Sequence, residues 1–142
     1  MNKRINGRAI VIEGDDVLLM FRRKITNGIV NEYYAIPGGG VEEGETLKQA
    51  TIRELKEELS IDIEIISYLG KLEEEKCIHH IFNAKKVSGD IKLGGEELEQ
   101  NNDNNYYEVR KIKLNEIDKI NLFKENKEFI KKAQLEREKE ND

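Results

Sequence analysis

A glycine-rich turn that leads directly into a capped helix limits the possible folds more than any other part of this sequence. Pro37 is the only proline, and glycines occupy residues 38–40. Thr46 can cap a helix, because Gln49 lies three residues later and can bond back to the cap. The predicted helix covers residues 46–59. Strands are predicted on both sides of it, which indicates an α/β domain.

Apolar runs separated by turns predict the strands of a mixed sheet. Residues 8–13 and 17–21 are predicted to form a hairpin around a turn at residues 14–16. Residues 25–31 are predicted to be a loop, and a strand at 32–36 is expected to stop at Pro37. The remaining predictions are strands at 61–69, 77–84 and 106–111, a polar loop at 94–105, a helical turn at 114–117 and a charged helix at 124–140.

Length and charge exclude several classes of protein. The 142 residues suit one domain over residues 1–142, and Cys77 is the only cysteine, so no intramolecular disulfide can form. The net charge of -5 argues against a protein that coats nucleic acid, so no stable nucleic-acid binding is expected. No apolar run is long enough to span a membrane. A soluble, cytoplasmic protein is expected, and a homodimer is left open.

The predicted helix has two faces of opposite character. Helical spacing places Ile52, Leu55 and Leu59 on an apolar stripe that is expected to face the core. Three acids fall on the opposite stripe: Glu54, Glu57 and Glu58. Acids on an exposed helix are commonly just solvated, but like charges three and four residues apart repel unless cations lie between them. Ligands made only of oxygen suit Mg²⁺ or Mn²⁺.

The residues before the helix exclude one phosphate-binding motif. Residues 39–46 match the pattern of a P-loop, except that Glu45 stands where the lysine must be. A glutamate cannot supply the positive charge that the phosphates require. Once the P-loop is excluded, the segment is interpreted as a glycine turn that leads into a helix lined with acids.

That turn and helix resemble the Nudix box. The pattern in this chain is Gly39, five residues, Glu45, seven residues, and then Arg53-Glu54-Leu55-Lys56-Glu57-Glu58-Leu59-Ser60-Ile61. Every fixed position of the box matches except its final glycine, which is Ser60 here. A glycine at the end of a helix normally takes a left-handed conformation, so a serine is expected to cost about 1 kcal/mol there or to end the helix differently.

The resemblance to the Nudix family implies a fold, a reaction and a role for each matching residue. The fold is an α/β/α sandwich with a mixed sheet, and the reaction hydrolyses a nucleoside diphosphate linked to another group. Glu54, Glu57 and Glu58 would bind the divalent metal with the Gly38 carbonyl, and Glu54 is also a candidate base. Arg53 would orient a carboxylate. Gly39 and Glu45 would shape the loop rather than touch the substrate.

Residues outside the box are weaker candidates for the site. Glu97 and Glu99 could add an acid from the polar loop, although a solvated loop is the simpler interpretation. Arg22 and Arg23 could meet terminal phosphates. The pairs at residues 79–80 and 106–107 should each place one side chain inward and one outward, because side chains alternate along a strand.

The box does not select a substrate, because the metals contact only the diphosphate. The proline and the tyrosine that mark ADP-ribose and dinucleoside-polyphosphate hydrolases of the family are missing beyond the box. By elimination, the expected reaction converts a nucleoside triphosphate, or a modified nucleotide such as an oxidised one, to monophosphate and pyrophosphate. The alternatives are an ADP-ribose or nucleotide-sugar hydrolase, a dinucleoside-polyphosphate hydrolase, a nucleotide sensor without turnover, and a scaffold that uses the charged C-terminal helix.

Overall fold

The computed structural model describes residues 2–95 and 101–140. The chain forms seven strands, two α-helices and one 3-10 helix in this part. The strands are β1 (Arg4–Glu13), β2 (Asp16–Thr26), β3 (Ile29–Ala35), β4 (Gly38–Gly40), β5 (Asp62–Glu73), β6 (Cys77–Ser88) and β7 (Asn105–Lys113). The helices are α1 (Leu47–Leu59), the 3-10 helix η1 (Leu114–Lys119) and α2 (Lys124–Glu140).

The strands form one mixed sheet, as the sequence predicts. Its order is β3-β2-β1-β6-β5, while β4 pairs with β1 and β7 pairs with β2. The β1 and β6 strands run parallel, and Asn6 lies opposite His79 in their register. All other strand pairs are antiparallel. The parallel pair brings together residues that are far apart in sequence, and these residues form part of the site described below.

Helices cover both faces of the sheet, so the predicted α/β/α sandwich is confirmed. On one face, Leu55 and Leu59 of α1 are fully buried against apolar side chains of β1, β2 and β5. On the other face, Ile130 of α2 and Ile117 of η1 pack on Ile10 and its neighbours. Burial of apolar area on both faces holds the sheet between the helices.

The predicted loop at residues 25–31 is wrong. The β2 strand continues to Thr26, and β3 begins at Ile29, so only Asn27 and Gly28 form the turn. Both residues have positive φ, at 53° and 77°. An Asn-Gly pair adopts this conformation readily and suits a two-residue hairpin. The Asn27-Gly28 pair was therefore a signal in the sequence for a hairpin turn at this point.

Two other details of the prediction need correction. The strand predicted at 32–36 does end before Pro37, but the glycines that follow are not lost to the sheet, because residues 38–40 form β4 and pair with residues 6–8 of β1. Ile52 is 38% exposed and does not face the core. The apolar face of α1 is therefore narrower than predicted and depends on Leu55 and Leu59.

The C-terminal helix α2 is fastened to the sheet by polar contacts as well as by its apolar face. Lys132 Nζ donates to the Leu69 carbonyl at 2.8 Å, and Arg137 donates to the carbonyl of Ile12. Glu136 accepts hydrogen bonds from Ser67 and Asn83. No helix within residues 2–95 and 101–140 has the length and apolar character needed to cross a membrane.

Candidate active site

The start and end of α1 fix the direction of its acids. Thr46 accepts a hydrogen bond from the Gln49 amide at 3.1 Å, and the Gln49 side chain accepts one from the Thr46 amide at 2.9 Å. The predicted capping box is therefore present. Ser60 takes the left-handed conformation expected of the missing glycine, with φ 63°. The serine substitution thus preserves the usual end of the helix.

The three acids of α1 differ sharply in burial. The side chains of Glu54 and Glu57 are 18% and 54% exposed. Glu58 is only 5% exposed, and its Oε2 accepts a hydrogen bond from the Gly38 amide at 3.0 Å. The sequence predicts a carboxylate face for all three acids, and the structure adds that they differ in burial along it. Glu58 is packed beneath β4, whereas Glu57 lies toward solvent.

Arg53 holds the acids of the helix to the loop before it. Its Nη1 lies 3.0 Å from Glu54 Oε1 and 3.1 Å from Glu57 Oε2. Its Nη2 donates to the Gly40 carbonyl at 2.9 Å. These contacts raise the pKa of Arg53, chiefly through its hydrogen bonds to Glu45, so the guanidinium stays charged.

Glu45 links the turn before α1 to Arg53 of the helix. Its carboxylate accepts hydrogen bonds from Nε and Nη2 of Arg53 at 2.7 and 2.9 Å. It also accepts one from the Glu42 amide at 2.8 Å, which closes the turn before the helix. The Arg53 hydrogen bonds and then the Glu42 amide lower the pKa of Glu45 to about 2. Glu45 therefore remains ionised under ordinary conditions.

Gly39 leaves the space in which Glu54 lies. A Cβ atom at this position would lie 2.5 Å from Oε2 of Glu54, well inside van der Waals contact. The strand β4 can therefore pass over the carboxylate only if residue 39 has no side chain. This contact gives a steric reason for the glycine.

Two adjoining cavities meet at the acids of α1. The first, which we call the acidic cavity, has a volume of about 310 Å³ and is lined by Glu42 and all three helix acids, with Arg4 and Arg53. The second, which we call the groove, has a volume of about 490 Å³ and includes Asn6, Arg22 and Tyr107 in its lining. Arg4, Glu54 and Glu58 line both cavities. The acidic cavity thus lies beside a groove whose lining combines arginines and tyrosines with glutamates.

A family model described as the NUDIX domain matches residues 3–133. The chain belongs to the Nudix family. The family and fold predicted from the sequence are therefore confirmed. Nudix hydrolases generally use divalent metal ions.

Curated relatives resemble the chain over about two thirds of its length. The ADP-ribose pyrophosphatase of Methanocaldococcus jannaschii is 33% identical over an alignment of 95 residues that covers 63% of this chain and 55% of that protein. Nucleoside triphosphatase NudI of Escherichia coli O81 (strain ED1a) is 31% identical over an alignment of 101 residues that covers 61% of this chain and 72% of that protein. The match thus spans about half the length of the first relative.

A solved structure is similar over nearly the whole chain. It is a NUDIX hydrolase from Nitrosomonas europaea, with a TM-score of 0.70 and 26% identity. The similarity covers 97% of this chain and 73% of that one.

The acids of this Nudix site fit a hard divalent cation by their chemistry. Carboxylate oxygens are the donors that Mg²⁺ and Mn²⁺ prefer, and four glutamates line the acidic cavity. As the side chains stand, no three acidic, histidine or cysteine groups in the described part of the chain surround one point. Arg53 contacts Glu57 through Oε2, and a carboxylate that keeps such a contact can still offer its second oxygen to a cation.

The structure separates the two arginines of β2. Arg22 lines the groove, where it lies over the Tyr107 ring at 4.8 Å and donates to the Tyr33 hydroxyl at 3.0 Å. Arg23 lies over the Tyr106 ring at 5.0 Å, on the opposite side of the strand. The predicted alternation of the two tyrosines is present. Only Arg22 is placed beside the acids of the Nudix box.

Sequence reasoning missed three groove residues on β1. Arg4, Asn6 and Arg8 alternate along the strand and all line the groove, with His79 of the paired strand β6. Alternating polar residues were the available signal, but the strand was predicted to start only at residue 8. His79 lines the groove, while His80 contacts Tyr68 elsewhere at 2.8 Å. Glu97 and Glu99 lie outside the described residues.

Proposed function

We propose that this Nudix domain is a Mg²⁺- or Mn²⁺-dependent pyrophosphohydrolase. Its substrate would be a nucleoside triphosphate or a modified nucleotide, such as an oxidised one, which it would cleave to monophosphate and pyrophosphate. The observation that carries the proposal is that the acidic cavity and the groove share Arg4, Glu54 and Glu58 in their linings. The prediction that residues 1–142 form a single domain remains part of this proposal.

In this proposal each part of the site has a separate task. Glu54, Glu57 and Glu58 would hold the metal with the Gly38 carbonyl, and Glu54 is the candidate base. Such ions neutralise phosphate oxygens and lower the pKa of a bound water. Arg53 sets the orientation of Glu54 and Glu57 through its fixed fork of donors.

The groove would receive the nucleoside. Its arginines and tyrosines offer charge and flat apolar surface next to the acids. Among the described residues, the Arg4 guanidinium has no hydrogen-bond or ion-pair partner, and it lies against Gly40 at the junction of the two cavities. We assign Arg4 to a phosphate of the substrate, because a cation at this junction would face the polyphosphate.

Two relatives support different substrates. The similarity to a nucleoside triphosphatase favours the triphosphate. The similarity to an ADP-ribose pyrophosphatase makes ADP-ribose the second candidate, despite the missing proline. Both substrates contain the diphosphate that the acids of α1 would act on.

A substrate panel tests the proposal. Nucleoside triphosphates, oxidised nucleotides, nucleotide sugars, ADP-ribose and dinucleoside polyphosphates are incubated with Mg²⁺ or Mn²⁺, and phosphate and pyrophosphate are measured separately. Release of pyrophosphate from a triphosphate supports the first candidate, and cleavage of ADP-ribose supports the second. Nucleotide binding without turnover of any compound would instead indicate a sensor.

Matched variants connect turnover to α1. Glu57→Gln and Glu58→Gln are expected to lower turnover by orders of magnitude, because an amide is a much poorer metal ligand than a carboxylate. The amide oxygen at position 58 can still accept from the Gly38 amide, so the fold should persist. Glu64→Gln is the control, because Glu64 lies on β5 and pairs only loosely with Lys85 at 3.8 Å. Unchanged turnover in the first two variants would remove the helix acids from the mechanism.

A further inference from the structure

One wall of the groove contains a buried polar atom without a partner. Asn6 lines the groove and is only 3% exposed. Its Oδ1 has no hydrogen-bond partner among the described residues. A buried carbonyl oxygen without a partner is costly, so its presence beside a cavity calls for an explanation.

The neighbours of Asn6 fix which end of its amide is unpaired. His79 Nε2 lies 3.1 Å from Glu74 Oε1, and its Nδ1 accepts a hydrogen bond from Arg8 Nε at 3.0 Å. The proton of the neutral ring is therefore on Nε2, and Nδ1 presents a lone pair. Asn6 Nδ2 lies 3.2 Å from the same Nδ1, so as a donor it shares this lone pair with Arg8 Nε.

Reversal of the amide is unfavourable for the same reason. It would place Oδ1 against the lone pair of His79 Nδ1, so two acceptors would face each other. Burial and then the Arg8 charge lower the pKa of His79, which favours the neutral ring over the cation. The oxygen of Asn6 is thus held as the unpaired atom by a chain of contacts from Glu74 through His79.

We propose that Asn6 Oδ1 accepts a hydrogen bond from an N–H or O–H donor on the nucleoside part of the ligand. The donor is an amino group of the base or a hydroxyl of the ribose. The inference rests on the proposed function in that the groove takes a nucleotide. Asn6 would be a specificity residue, because it favours ligands that carry a hydrogen-bond donor at this point. His79 would be the residue that holds the Asn6 amide in position.

The rest of the groove is compatible with such a ligand. Its volume of about 490 Å³ lies in the range of small-molecule sites. Arg22 in the same lining has an Nε without a partner among the described residues, so the groove offers an unpaired donor as well as an acceptor. Nucleosides carry both kinds of group.

Monophosphates that differ by one donor test the inference. Adenosine and purine riboside monophosphates differ by one amino group of the base, and so do guanosine and inosine monophosphates. Adenosine monophosphate and its 2′-deoxy and 3′-deoxy forms differ by one ribose hydroxyl. Dissociation constants are measured by titration for the wild-type protein and for its variants. These ligands contain no anhydride, so the measurement does not depend on hydrolysis.

The chain offers a matched control for Asn6. Asn83 is also fully buried in the sheet and also has an unpaired Oδ1 in the described structure, but it bonds to Glu136 of α2 and does not line the groove. Asn6→Ala and Asn83→Ala therefore remove the same side chain from one face of the sheet, in the first case beside the groove and in the second beneath α2. Asn6→Leu, whose side chain has the same number and branching of heavy atoms, is the second test variant if the alanine variant does not fold.

In the wild-type protein, loss of the correct donor is expected to weaken binding about 10- to 100-fold. Asn6→Ala should reduce that ratio to about 1, while Asn83→Ala should preserve it. The pair of ligands that shows the effect distinguishes a base amine from a ribose hydroxyl. Absence of binding or of any donor effect in the wild type overturns the inference, as does an effect that survives in the Asn6 variants. Intact discrimination without turnover supports the inference and contradicts only the proposed reaction.

Discussion

Glu45 and Arg53 form a two-pronged ion pair across the start of α1, with Nε–Oε2 and Nη2–Oε1 distances of 2.7 and 2.9 Å. The pair links the turn before the helix to the acids on the helix, because the same guanidinium contacts Glu54 and Glu57. Glu45 thus acts on the site through Arg53 and lies outside the acidic cavity lining.

Replacement of Glu45 by glutamine is expected to change the orientation of Glu54 and Glu57 indirectly, through Arg53. The amide has one oxygen and no charge, so the two-pronged contact is lost and Arg53 is less well fixed. Turnover of the substrate found in the panel should fall about 10- to 100-fold, because misplaced catalytic groups lose much of their effect. Steady-state kinetics with metal in excess measure the change.

Glu43→Gln is the control for this substitution, since Glu43 is exposed in the same turn. It removes the same charge and should leave turnover unchanged. Equal losses in the two variants would mean that the charge of the turn matters and that the ion pair does not.

Arg4→Gln is expected to weaken the binding of the polyphosphate rather than the chemical step. Arg4 stands at the junction of the two cavities, and a charged contact to phosphate is worth about 10- to 100-fold in affinity. KM should rise by that factor, while kcat changes little. Initial rates over a range of substrate concentrations separate the two parameters.

Lys3→Gln controls for the loss of one positive charge nearby. Lys3 pairs with Glu73 at 3.4 Å and does not line either cavity. Its variant should bind substrate as the wild type does. If both variants raise KM equally, the rise in KM comes from the loss of one positive charge at a distance. Arg4 would then have no direct contact with the phosphate.

The Nudix box could be located from sequence because its residues occupy fixed spacings within one turn and one helix. Thr46 with Gln49, and Arg53 with Glu57, interact with partners close in sequence, so the local pattern was sufficient for them. Glu58 was misjudged because its burial depends on Gly38, which lies in another element twenty residues away. A helical wheel contains no information about what packs on each stripe.

The groove could not be predicted in the same way. Asn6 and His79 are 73 residues apart and meet because β1 and β6 pair in parallel. Nothing in either segment specifies the other as its partner. The register of a sheet arises from the packing of the whole domain, so residues that gather across strands become visible only in the structure.

Ser60→Gly is expected to stabilise the domain. Ser60 has φ 63°, a conformation that costs a residue with a side chain about 1 kcal/mol relative to glycine. The gain is reduced by loss of the hydrogen bond from Ser60 Oγ to the Lys92 carbonyl. Thermal unfolding should show a midpoint higher by at most about 2–4 °C.

Ser60→Ala is the matched variant for this prediction. Alanine keeps the strained backbone and loses the hydroxyl, so its midpoint should lie below those of the wild type and the glycine variant. A glycine variant no more stable than the alanine variant would show that the left-handed backbone carries no cost here.

The stability of the domain should fall as the pH drops through the ordinary histidine range. Burial and then the Arg8 charge lower the pKa of His79, and burial and then the Lys71 charge lower that of His80. Both pKa values lie below 6.5 in the folded state, so the unfolded chain binds more protons near that pH. The unfolding free energy therefore decreases as the pH falls below about 7, because the unfolded chain takes up protons that the folded histidines do not.

Denaturant unfolding at a series of pH values from about 5.5 to 7.5 measures this dependence. The window avoids Glu45, whose depressed pKa makes its contribution disappear only as the pH falls from about 4.5 toward about 2. Replacement of both histidines by glutamine should flatten the profile. His79→Gln alone should remove one part of the pH dependence of the unfolding free energy, and His80→Gln should remove the other part. If the unfolding free energy of the double variant still falls with pH in this window, carboxylates cause the dependence. Such a result would contradict the lowered pKa of His79, which is one argument that Asn6 is positioned by a neutral ring.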